Sequence, residues 1–92
     1  MAILVTYDIK QNHKLFKAKL LEKGFFKCLK DANGDLRELP DTTVIYNGSD
    51  LEAAKQHFIA ALGDVLPAPD LSRVFMMVTG SGYFFESDTR CL

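Results

Sequence analysis

Ninety-two residues suffice for one domain and not for two. Apolar residues at 48% and charged residues at 25% are ordinary globular composition, and a net charge of −1 names no partner. No run approaches the ~18 apolar residues of a membrane span, and a domain this short buries only roughly 60–65% of its unfolded surface.

The chain opens on Ala2-Ile3-Leu4-Val5-Thr6-Tyr7-Asp8-Ile9, apolar at once and without a basic n-region, so it reads as a buried first strand and not as a signal peptide. Asp8 falls at its C-terminal end. Residues 12 to 23 read as a helix, with Asn12 as N-cap, Leu15, Phe16, Leu20 and Leu21 as the buried stripe, and Gly24 as terminator. Residues 25 to 30 return as a strand. The Asn33-Gly34 pair marks a hairpin, residues 36 to 39 continue it, and Pro40 ends it. Residues 42 to 47 form the next main strand.

Ser49 and Glu52 have the spacing of a capping box. The helix behind them, near 50–62, carries Leu51, Ala54, Phe58, Ala61 and Leu62 on one stripe. Residues 64 to 73, with two prolines, read as a loop, and residues 74 to 79 as a strand apolar on both faces, in which Met76 and Met77 fill core space. Residues 83 to 86 suggest a short fifth strand, and residues 87–92 a fraying tail. The order β-α-β-β-α-β predicts a single α+β domain over 1–92: a ferredoxin-like sandwich, with an antiparallel sheet and both helices on one face.

Charge is uneven. Residues 10 to 30 hold seven lysines and one acid, a net of +6, and the remainder sums to −7. Lys10, Lys14 and Lys17 fall on one line of the first helix, a candidate contact for the phosphates of RNA. A solvated helix face is the bland reading of the same lysines.

Asp8 is the candidate catalytic and metal-binding residue. A carboxylate at the mouth of a buried strand must be paired, hydrogen-bonded or metal-bound. Two copies meeting in a symmetric dimer could hold one Mg²⁺ between them. Its bland reading is a cap of the following loop. His13 and His57 read as exposed or stacking residues. Cys28 and Cys91 lie far apart and in no metal spacing, so the expectation is two free thiols in a reducing cytoplasm. A homodimer is expected through Tyr83, Phe84 and Phe85, adding to a partner's sheet edge.

The order G-F-x-x-x-x-x-D-x-N-G-x-x-x-x-L-P-x-T-T-x-x-Y-x-G, from Gly24 to Gly48, resembles the GhoS-like antitoxin endoribonucleases of type V toxin–antitoxin systems. The strand Val5-Thr6-Tyr7-Asp8-Ile9 is similar to the start of the small CRISPR adaptation nucleases. The resemblance implies a ferredoxin-like protein that cuts a toxin messenger RNA, and it implies that Asp8 is a metal ligand. The competing expectation is a dimeric, non-catalytic module that blocks or scaffolds another protein.

Overall fold

The computed structural model describes residues 2–80 and 85–91. Its elements are β1 (Ala2–Ile9), α1 (His13–Glu22), β2 (Phe25–Phe26), β3 (Cys28–Lys30), β4 (Leu36–Glu38), β5 (Thr43–Asn47), α2 (Leu51–Gly63) and β6 (Leu71–Thr79). Four strands form an antiparallel sheet in the order β2-β5-β1-β6, and β3-β4 form a separate two-stranded sheet. The result is a small α+β domain compatible with a ferredoxin-like arrangement.

Strict alternation in β1 decides the layering. Ile3, Val5, Tyr7 and Ile9 are buried, and the residues between them are half-buried on the opposite face. Because successive strand side chains point to opposite faces, one face of β1 is committed to the helices. Phe16 and Leu20 of α1 and Ala54, Phe58 and Ala61 of α2 join that face in a single core, so both helices lie on the same side. The centre is aromatic. Tyr7, Phe16 and Phe58 meet edge to face, with centroids 5.2 Å (Tyr7–Phe16) and 5.3 Å (Phe16–Phe58) apart, the geometry that ring quadrupoles favour.

Several expectations about single residues fail here. Leu15 (56% exposed) and Leu21 point away from the core, which leaves α1 a two-residue stripe. Leu51 and Met77 are also exposed. The cap of α2 is Asp50, whose carboxylate accepts from the Ala53 N–H at 3.1 Å, and not Ser49. An acid there also meets the positive end of the helix dipole. Asn12 does stand at the N-cap position of α1, but in left-handed conformation with no side-chain cap. Its amide donates instead to the Pro67 carbonyl at 2.7 Å. Beside it, Gln11 donates to the Ala68 carbonyl and the Lys10 N–H to the Pro69 carbonyl. The expected loop at 64–73 is thereby drawn against the β1–α1 turn, and β6 starts at Leu71, earlier than periodicity shows.

The strand expected over 25–30 is two strands. Only Phe25 and Phe26 pair with β5, and the chain then leaves the sheet. The hairpin turn at 31–35 is closed by Asp31, whose carboxylate accepts from the N–H groups of Asn33 and Asp35, with Gly34 at φ +84°. In the tail, residues 89–91 are hydrogen-bonded to β4. Glu38 N–H donates to the Thr89 carbonyl, Arg37 bridges Arg90, and Cys91 N–H donates to the Leu36 carbonyl. This pairing brings Cys91 to Cys28, and the two form a disulfide with a Cα–Cα distance of 6.0 Å. The expectation of free thiols is overturned, and with it the ground for a reducing compartment. Among the described residues no helix is long and apolar enough to cross a membrane. Of the expected fifth strand, Tyr83 lies outside the described residues with Phe84, while Phe85 and Glu86 take no strand conformation.

Two stability outcomes follow from this packing. Phe58→Ala, which removes the ring shared by both helices and β1, lowers unfolding free energy by about 3–5 kcal/mol in urea titration, and Leu15→Ala leaves it within about 0.5 kcal/mol. Cys91→Ser opens a loop of 63 residues and costs about 2–4 kcal/mol relative to the oxidised chain. The same loss appears in the unmutated chain under reductant.

Candidate functional site

Asp8 closes β1 on the face away from the helices. Antiparallel pairing sets it directly opposite Arg73 of β6. One carboxylate oxygen accepts from the guanidinium twice, from Nε at 2.8 Å and Nη2 at 2.6 Å. The carboxylate is thus answered by a cation. Both side chains are largely in water, where such a pair contributes at most about 1 kcal/mol. Thr6, Thr42 and Phe75 complete an open hollow of about 410 Å³ around them. Among the described residues no three His, Cys, Asp or Glu side chains converge to hold a metal ion. For a single chain to bind Mg²⁺ at Asp8, the ion must displace the guanidinium and find its other ligands elsewhere.

Behind this hollow, Tyr7 points into the core. Burial, and secondarily the charge of Asp41, push its phenol up to about 12, so it is a neutral ring at ordinary pH.

Three lysines of the basic segment pair with acids, one pair local and two brought together by folding. Lys19 bonds Glu22 at 3.0 Å, Lys23 bonds Asp64 at 3.0 Å and Lys27 bonds Glu38 at 3.3 Å. The Glu22 hydrogen bond raises the Lys19 pKa above its ordinary value. Lys17, one of the three expected phosphate contacts, donates to the Asp41 carbonyl at 3.0 Å. Lys10 and Lys14 are exposed and form no ion pair among the described residues. Of the expected dimer contacts, Tyr83 and Phe84 lie outside the described residues, and Phe85 is half-buried.

Two features were not read from the sequence as sites. One is a contact of Tyr46 Oη with His57 Nδ1 at 3.0 Å. The other is the outer edge of the sheet. Leu51 and Ile59 of α2 and Leu71, Val74, Phe75 and Met77 of β6 are all among the exposed large apolar residues. Between α2 and β6 runs an apolar groove of about 350 Å³, floored by Phe58 and Met76. The signal available in the sequence was that residues 74 to 79 are apolar on both faces. That pattern fits a central strand, but equally an edge strand with apolar surface on both sides.

No family model matches the chain, and no curated protein or solved structure matches it.

Alkaline titration gives a direct check on the buried phenol. Its folded pKa lies above the unfolded value of about 10, so its contribution is complete below pH 10. It is lost as pH rises towards 12, where the unfolded chain ionises first. Unfolding free energy should fall by about 2 kcal/mol across that window in excess of the change in Tyr7→Phe.

Proposed function

We propose that this chain is a non-catalytic protein-binding module of ferredoxin-like topology, which works by adding a strand from another chain to its exposed sheet edge. The observation that carries the reading is the concentration of exposed apolar side chains along β6 and the adjoining face of α2. A long apolar edge strand is an aggregation hazard unless something covers it. Strand addition supplies main-chain hydrogen bonds, and the groove supplies side-chain pockets. The sheet order β2-β5-β1-β6, with one helix in each crossover, supports the ferredoxin-like assignment. The module reading needs no catalytic group, and Asp8, the carboxylate singled out from the sequence, is engaged by Arg73 within the chain.

A second reading is an antitoxin-type endoribonuclease, or an RNA-binding protein of a toxin–antitoxin system. It is favoured by Lys10 and Lys14, which remain exposed on either side of the left-handed Asn12, Lys10 in the turn before α1 and Lys14 in its first turn. In that reading Asp8 binds Mg²⁺ once RNA or a second copy displaces Arg73.

The two readings separate on incubation of the oxidised protein with single-stranded and hairpin RNA, with Mg²⁺ or with EDTA. The module reading expects intact RNA in every lane. Cleavage that needs Mg²⁺ and disappears in Asp8→Asn would transfer the conclusion to the nuclease. RNA binding without cleavage should weaken in Lys10→Glu/Lys14→Glu, with a salt slope flattened by about 0.7 per lost phosphate contact.

A further inference from the structure

We propose that the strand added to β6 is β6 of a second copy, so that two chains form one continuous eight-stranded sheet about a two-fold axis perpendicular to it. The inference rests on the binding-module reading and names the partner of the same surface.

The starting point is how this edge differs from the other one. β2, at the far edge, pairs over two residues only, and so short an edge offers little to a foreign strand. β6 is nine residues long, roughly 30 Å at 3.4 Å per residue. It contains no proline, no glycine and no acid. Its one charge, Arg73, is neutralised from within by Asp8. Its register with β1 is regular from Arg73 to Thr79, and the single irregularity lies at Asp8/Ile9, by the start of the strand. From Val74 to Thr79 no charge, proline, glycine or register irregularity interrupts the edge.

Self-complementarity selects the occupant. In an antiparallel pair related by a two-fold axis on residue 75, Phe75 faces Phe75, and Val74 faces Met76 of the other copy. Directly opposed residues point to the same side of a sheet, so at the centre of the pair apolar meets apolar on both faces, flanked by Arg73 opposite Met77 and Ser72 opposite Val78. On the helix side, each copy's Val74 and Met76 border the groove beneath Leu51 and Ile59, and the symmetry sets the two α2 helices side by side along that same apolar surface. The charges raise no obstacle. The groove holds one acid and one base, Glu52 and Lys55, so the patch is neutral and does not repel its own copy. The basic helix α1 contacts β2 and α2 and lies away from this edge. The strip runs most of the length of a domain 39 Å in its greatest extent. A closed two-fold also removes the free edge, which open-ended pairing would not.

The test is sedimentation equilibrium of the oxidised full chain across micromolar concentrations. The proposal expects a monomer–dimer equilibrium and no larger species. Val74→Lys/Phe75→Lys replaces two exposed side chains, and its fold is checked by far-UV circular dichroism and melting temperature. It should raise the dimer dissociation constant at least tenfold, while Leu15→Lys on α1 leaves it unchanged. Amide exchange in β6 should slow with rising protein concentration in the unmutated chain only. A wild-type chain that stays monomeric, a dimer that survives the paired lysines in a folded variant, or assembly beyond two copies would each overturn the proposal. These failures are distinct from failure of the module reading, which turns on RNA cleavage and is scored at any oligomeric state.

Discussion

Everything in this domain is arranged around the alternation of β1. The strand is hydrogen-bonded on both sides, to β5 and to β6, and shows one face to the helices and the other to the open side of the sheet. Tyr7 joins the helices to it through edge-on contacts with Phe16 and Phe58. A slip of one residue would exchange Ile3, Val5, Tyr7 and Ile9 for Ala2, Leu4, Thr6 and Asp8, and bring a carboxylate into the core. The register is therefore strongly specified. The same register is what places Asp8 opposite Arg73.

That placement reorders the chemistry. Taken alone, an aspartate at a strand end calls for a metal, a cap or a counter-ion, and the three cannot be ranked without the neighbouring strand. The lysine stripe is similar. Seven lysines within twenty-one residues look like a polyanion site while the compensating acids are distant in sequence. Folding carries Glu38, the Asp41 carbonyl and Asp64 to three of them, while Lys10 and Lys14 stay exposed.

The α+β class, the antiparallel sheet, the first strand and both helices were legible because they rest on local periodicity and turn residues: Gly24 at φ +98°, Asn33-Gly34 in the hairpin, Phe58 and Ala61 at helical spacing. What was not legible depends on distant parts of the chain. Leu15 and Leu51 have the right spacing for burial, yet only the layer above the helix decides whether such a residue is covered. The break after Phe26 depends on where the hairpin packs. The cysteine pairing depends on a tail segment that bridges β4 at a single position, Arg90 to Arg37, and no spacing rule reaches across that distance. The edge position of β6 was hidden for a related reason: an apolar run tells how much of a strand avoids water, and not how many neighbours it has.

The disulfide also sets what holds the molecule together if its backbone is broken. Cys28 and Cys91 enclose the hairpin, β5, α2 and β6 in one covalent ring, with β1 and α1 on an arm outside it. Leu66, the most exposed large apolar side chain among the described residues, stands on the ring between α2 and β6. A protease that nicks the chain there leaves two pieces joined through sulfur, each still contributing a strand to either side of β1. Such a nicked molecule keeps its mass on a non-reducing gel and separates only when the sulfurs are reduced.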